Sequence, residues 1–297
     1  MSSAFRRPGL KPGIGPGRGA AASAPRAAGP VLGGVGPALR ATLRAARRLA
    51  ASKALRSLAA FAVLVAAWAG AAALVAKPFL PAPGLVFERL GARLADGSLG
   101  FHTAASARRI LLALCLAAPA ATALGLAAGR SGRLDAFVSP FVYLLHPLPK
   151  VAFLPVIMLF FGLGDGAKVF LIGLIIFGQI LVAARDAARA VPPALLDSVR
   201  SLGAGRLGLL RHVVFPAALP ALLTALRVGL GTAIAVLFLA ETFATESGLG
   251  WYIIDAWSRV DYVDMYAAIA ALSAFGFLSF LLVDAAEAFF CRWRRTD

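Results

Sequence analysis

Three histidines, His102, His146 and His212, two cysteines, Cys115 and Cys291, and fourteen carboxylates are the groups in this chain that could carry acid–base, nucleophilic or metal chemistry. They do not converge. The histidines and cysteines are scattered, whereas a zinc site needs three or four ligands brought together, so no metal site and no catalytic residue is expected. The glycine-rich run "GIGPGRG" lies in a proline-rich stretch with no strand before it and no Gly-Lys-Ser/Thr after it, so it is not a phosphate loop. The chain is therefore not expected to hydrolyse ATP itself. What remains is charge set against apolar sequence: the stretch "DSVRSLGAGRLGLLRHVVFPAALP" from Asp197 to Pro220, Glu241 in "FLAETFATESGLG", and Asp284 with Glu287 near Arg292, Arg294 and Arg295. Such groups suit docking, charge pairing or gating.

The elements that must position them are membrane spans. The chain has 297 residues, 60% of them hydrophobic, a mean hydropathy of +0.82 and 15% charged, which is too apolar for one soluble domain of that length. The formal charge of +16 raises the question of nucleic acid. Its distribution answers it: eleven of the 30 Lys and Arg precede Leu58, where there is no Asp or Glu, as in a basic cytoplasmic tail on a membrane protein. Residues 1–56 are read as that tail. It is rich in Gly, Pro, Ala and Arg to about Pro37 and so expected to be disordered, with a basic interfacial helix over Ala38 to Arg56. The charged region is too long for a cleaved signal peptide.

Residues 57–293 are read as a transmembrane domain of six helices, each approaching or exceeding the ~20 apolar residues needed to cross a bilayer. The spans are Ser57 to Ala76, Ile110 to Ala128, Ala136 to Phe161, Val169 to Ala184, Ala217 to Ala240 and Tyr266 to Phe290. The third contains Pro140, Pro147, Pro149 and Pro155 and should be kinked or broken. With the N-terminus inside, inner segments hold 21 Lys and Arg and outer loops seven, or ten against seven without the tail. The positive-inside rule then places both termini and the loop after the fourth span in the cytoplasm.

That loop, residues 192–216, divides into a short helix opened by Pro192 and Pro193 and closed at Gly203, which should take positive φ, and a second piece from Arg206 until Pro216 restarts the chain into the fifth span. A small, amphipathic helix–turn–helix of this kind suits insertion into a groove on another protein. Glu241, roughly 37 Å along a helix begun at Pro216, should lie near or past the outer edge of a ~30 Å core and need no buried partner. It is expected to pair with Arg259 or another outer-loop cation. Alternatively it lines the outer mouth with Ser247, Gly248 and Gly250, in a structural or gating role. His146, beside Pro147, is read as bonding a carbonyl freed by the proline, or else as lining the path. Arg108 and Arg109 should anchor the second span at the outer interface, and Asp284 and Glu287 should pair with the C-terminal arginines.

The loop also resembles the EAA loop of ATP-binding-cassette importer permeases, Glu-Ala-Ala, three residues, Gly, nine residues, then Ile-x-Leu-Pro. Asp197, Ser198 and Val199 stand at the first three positions, Gly203 at the glycine, and Val213, Val214, Phe215 and Pro216 at the end. The spacing is kept, while Asp replaces Glu, Ser-Val replaces Ala-Ala, and Val and Phe replace Ile and Leu. "HPLPKVAFLPVIMLFFGLGDGAKV" is similar to a stretch of the nitrate, sulfonate and taurine branch at Pro149, Ala152, Pro155, Phe161, Gly162 and Gly164, and "FLPAPGLVFERL", "HTAASARRI" and "AETFATESGLGWYI" look like the same branch. Together these stretches cover about Leu58 to Trp293.

The resemblance implies a type I importer permease, in which Asp197, Ser198, Val199, Arg200, Gly203 and Pro216 belong to a coupling helix seated in a separate ATPase subunit. It further implies no cofactor of the chain's own, ATP being bound by that subunit, together with an extracytoplasmic solute-binding protein, a second permease copy, a bacterial inner-membrane location, and a small solute such as nitrate, a sulfonate or taurine. An ion-coupled secondary transporter would want several intramembrane carboxylates or an inverted repeat, and a membrane enzyme would want clustered His and carboxylates. Neither pattern is found.

Overall fold

The computed structural model describes residues 53–145 and 147–292, and every regular element among them is helical. In chain order these are α1 (Lys53–Val75), α2 (Pro83–Ala95), α3 (Ser98–Arg130), α4 (Gly132–Leu145), a 3₁₀ turn (Lys150–Phe153) running into α5 (Leu154–Phe161), α6 (Asp165–Arg189), α7 (Pro193–Ser201), α8 (Arg206–Leu209), a π-helical turn (Leu210–Val214), α9 (Phe215–Glu241), α10 (Leu249–Ser258) and α11 (Tyr262–Phe290). The expected basic tail falls almost wholly outside the described residues, as does His146. The compact helix bundle begins at Val63, within α1.

Among the described residues, five helices are long and apolar enough to cross a membrane, and α4 with α5 makes a sixth if the bent pair counts as one span. Proline sets that break. Pro147 and Pro149 lack the N–H that would continue the helical ladder, and the two halves meet at 84°. The second span is much longer than its apolar run: α3 continues toward its N-terminus through Ser106, Arg108 and Arg109, because the polar side chains there find partners inside the protein.

The centre of the bundle is the pairing of α3 with α6. Ala113, Ala117, Ala121, Gly125 and Gly129 recur every four residues and so form one stripe down α3. Gly173 lies against Ala113 and Ala117, Gly125 against Leu181 and Ala184, and Gly129 against Arg185 and Ala188. A near-constant offset means the helices run parallel, as a second and a fourth span must. At Gly125 a Cβ would stand 2.6 Å from the Leu181 carbonyl oxygen. Only glycine lets the backbones meet this closely, which is how helices associate where apolar side chains gain nothing over lipid. On the other face α6 packs against α9, and α9 packs antiparallel to α11, with Phe280 of α11 against Gly231 and Ile234 of α9 against Gly276.

The two short helices that the apolar pattern does not announce, α2 and α10, close one end. Leu249, Tyr252 and Ile253 of α10 pack with Leu99 of α3 and Ala268 and Ala271 of α11 in a second core. Arg93 of α2 reaches Asp264 of α11 with both ends of its guanidinium, at 3.1 and 2.7 Å, and Arg89 reaches the same carboxylate at 2.9 Å. Hydrogen bonding to Asp264 raises the pKa of both arginines above the usual value, so they stay charged.

At the other end the chain does not restart at Pro216. From Arg206 to Glu241 it is one continuous helix of 36 residues. The π-helical turn at Leu210–Val214 lets it continue: its wider spacing accommodates a helix segment whose next residues include Pro216, with no N–H to donate.

Candidate functional site

At the α10 end Glu241 is fully buried, and the expectation of a solvated or surface-paired carboxylate is overturned. Its partner is Arg109, itself 2% exposed, which donates from Nη1 to Glu241 Oε1 at 2.5 Å. Arg109 therefore does not anchor a span at an interface. Arg259, the expected partner of Glu241, pairs with Asp255 on its own helix at 2.7 Å. Glu241 is the last residue of α9, and α10 folds back over it.

The rest of the network satisfies every strong donor that faces that carboxylate. Ser106 of α3 donates to it at 2.8 Å and accepts from the Leu249 N–H at 2.9 Å, while the Gly250 N–H donates to Oε2 at 2.9 Å. Arg109 also donates to the Ser247 carbonyl at 2.9 Å, the Ser247 hydroxyl at 3.0 Å and Asp165 of α6 at 2.7 Å. Arg108, exposed, pairs with Asp165 as well. His102 Nδ1 accepts from the Gly248 N–H at 3.1 Å while its ring stacks on Trp251. Burial of two ions is stabilising only when the remaining lone pairs and protons are taken up in this way.

Two glycines make the geometry feasible. Gly248 holds φ +113° with the Glu241 carboxylate directly over its Cα, so any Cβ would collide with it. At Gly250 a Cβ would lie 2.6 Å from the Phe238 carbonyl oxygen. Beside this latch is a cavity of about 580 Å³ lined by Arg109, Asp165, Lys168, Thr245, Glu246 and Ser247, in which Lys168 is buried and donates to the Leu163 carbonyl at 3.1 Å. Of the predicted group, Glu241, Ser247, Gly248 and Gly250 thus come together. Ser106, Arg109 and His102 complete the set. The sequence carries "HTAASARR" and "ESGLG" 135 or more residues apart, and nothing local joins them.

Asp284 and Glu287 both pair with Arg227 of α9, Glu287 at 2.9 Å; of the C-terminal arginines expected as their partners, Arg294 and Arg295 lie outside the described residues. Arg227 lies inside a span, where an unpaired charge would be costly.

The charged loop sits at the opposite end of α9. Pro193 opens α7, Ser201 ends it, and Gly203 takes φ +86°, so the turn has the left-handed residue that its sequence requires. Asp197, Ser198 and Arg200 are exposed and Val199 half-buried, with Asp197 and Arg200 paired along the helix at 2.9 Å. Leu196 turns inward and fixes α7 to the body. Flanking the turn, Leu202 and Leu207 stand 85% and 77% exposed. Two bare leucines on a polar loop are the residues that the motif-based reading left out, although two leucines bracketing a glycine in a solvated turn are a visible signal. Pro216 lies within the continuous helix, half-buried, away from the tip.

A helical bundle broken in its third span, with a projecting helix–turn–helix continuous with its fifth, is the build of a transporter's membrane component, and the chain belongs to the family of binding-protein-dependent transport system inner membrane components, which it matches over residues 121–295. It is accordingly the permease component of an ATP-binding-cassette transport system, not an enzyme. Among its relatives, the taurine transport system permease protein TauC of Escherichia coli is 35% identical over 75% of this chain and 83% of that protein. The riboflavin transport system permease protein RibX of Chloroflexus aurantiacus is 32% identical over 78% and 87% respectively. The putative aliphatic sulfonates transport permease protein SsuC of Bacillus subtilis is 29% identical over 79% and 86%.

Proposed function

We propose that this chain is the permease of a bacterial inner-membrane importer for a small organic anion of the sulfonate or taurine kind, working as a pair of copies with an ATPase subunit on its cytoplasmic side and a solute-binding protein outside. The family supports the two partner classes, and relatives named for taurine and aliphatic sulfonates support the solute class. The chain needs no cofactor of its own in this reading, because the ATPase subunit binds the nucleotide.

The observation that carries the reading is the turn at Gly203, with Leu202 and Leu207 bare on either side and Asp197 at the exposed face of α7. Apolar side chains held out on a rigid polar loop are anchors for a groove. The test is copurification with the ATPase subunit of the same transport system, followed by assay of solute-stimulated ATP hydrolysis in the full complex. Gly203→Val should strain the turn by about 1–2 kcal/mol, and Asp197→Arg should break the pair with Arg200 and reverse the charge on the exposed face of α7. Either should lower stimulated hydrolysis while the protein still inserts in the membrane. Normal stimulation in both variants would count against the docking role.

A further inference from the structure

A cavity of about 650 Å³ opens at the α7 end of the bundle, where three helix faces converge. Arg130 is the last residue of α3. Leu196 and Arg200, four residues apart, share one face of α7, and Arg206, Leu210 and Val214, again at steps of four, share one face of the long helix that becomes α9. Each face brings one arginine. Leu196 and Val214 are buried beneath them, so the cavity has an apolar floor and a cationic wall.

None of the described residues that line it is a carboxylate. Arg200 is paired with the exposed Asp197 at 2.9 Å, and Arg130 donates to the Ala188 carbonyl at 3.4 Å, a contact with no counter-charge in it. Three guanidinium groups against one exposed carboxylate make a place for an anion, and the guanidinium fork matches phosphate in particular. Depth separates the sources of such an anion. The apolar run of α3 ends at Ala128, so Arg130 lies about 3 Å past it, and that of α9 starts at Ala217, so Val214 lies about 4–5 Å outside it. The headgroup layer is about 5–8 Å deep on each side of the hydrocarbon core. The membrane end of the cavity is therefore level with lipid phosphates, and Arg206, about 12 Å farther out than Val214, stands at its watery end.

We infer that this cavity holds the phosphate-bearing headgroup of an anionic phospholipid, with Arg130, Arg200 and Arg206 as donors and Leu210 and Val214 against the glycerol backbone. Basic cavities between spans at headgroup level suit such lipids. A free phosphate has the charge but offers nothing to the apolar floor. A lipid there joins the end of α3 to α7 and to the foot of the long helix, which makes it a brace behind the exposed face of the loop. The inference is independent of the solute and of the ATPase, and its failure leaves the transport reading untouched.

The test titrates the full-length chain in nonionic detergent with dioctanoyl phosphatidylglycerol, with dioctanoyl phosphatidylcholine, which has the same chains and phosphate but no net charge, and with inorganic phosphate. Binding is read by native mass spectrometry and by the thermal unfolding midpoint. Phosphatidylglycerol should bind and raise the midpoint, and the other two should do neither at the same concentration. Arg130→Gln and Arg206→Gln should each weaken phosphatidylglycerol binding about tenfold, the loss of one charge-assisted contact. Arg133→Gln and Arg211→Gln, at exposed arginines outside the cavity, should bind like wild type. If the two cavity variants lose no more than these two controls, a general basic surface accounts for the binding and the site is overturned. Phosphatidylcholine or inorganic phosphate binding as well as phosphatidylglycerol overturns it too. Should Arg130→Gln fail to fold, Arg206→Gln decides, because Arg206 is exposed: wild-type binding there overturns the proposal.

Discussion

Arg109 and Glu241 show how far a single pair can govern one end of this permease. Each is buried, and each is bonded to more than one element: Arg109 of α3 holds Asp165 of α6 and Ser247 ahead of α10, while Glu241 at the end of α9 holds Ser106 and Gly250. Removing one member strands the other's charge without water. Arg109→Met should therefore cost about 3–5 kcal/mol of stability, read as a lower midpoint in detergent unfolding. Adding Glu241→Gln to it should recover part of that loss, since a neutral amide can keep the Ser106 contact. A double variant no more stable than Arg109→Met would show that the two side chains are not coupled. The pair was not legible from sequence. Glu241 was placed by counting along α9, which fixes distance along the helix but not what folds over its end, and the cover comes from α10, whose start depends on the positive φ at Gly248.

At the scale of elements, the seam between α3 and α6 sets the bundle. Gly125→Leu should push a branched side chain into the Leu181 carbonyl and Ala184, and cost about 1–3 kcal/mol or more, whereas Gly70→Leu on α1, with nothing within 4 Å, should be close to neutral. Equal stability of the two variants in the same detergent titration would refute the close approach. The spans themselves could be read from composition, because ~20 apolar residues leave little else to be. So could the turn at Gly203, where Pro193 and the glycine bound a nine-residue helix. The helices α2 and α10 could not. Their apolar faces, Leu90 in one and Leu249, Tyr252 and Ile253 in the other, are short and gain meaning only against Leu99 and Ala268. The continuity through Pro216 was misjudged for a related reason: proline usually marks a helix start, and a π-helical turn before it leaves no trace in composition.

For the molecule as a whole, orientation is the property on which every partner assignment depends. In a background with Cys115 and Cys291 replaced, single cysteines at Ser201 and Ser258 lie at opposite ends of the bundle, at the tip of α7 and the end of α10, both exposed. An impermeant thiol reagent applied to intact cells should label Ser258→Cys and leave Ser201→Cys untouched. Labelling at position 201 would invert the molecule and remove the docking role from α7 along with it.

The unbroken run from Arg206 to Glu241 has a mechanical meaning. Thirty-six residues at 1.5 Å each make a rod of about 54 Å, carrying bare Leu207 near its foot and the Arg109 latch at its head. A helix is stiff along its axis, so displacement of the foot by a closing partner need not travel through a chain of side-chain contacts. It arrives at the head as the same displacement, turned about wherever α9 is gripped by α6 and α11. The rod would then act as a lever whose far arm ends on the carboxylate that holds α10 shut.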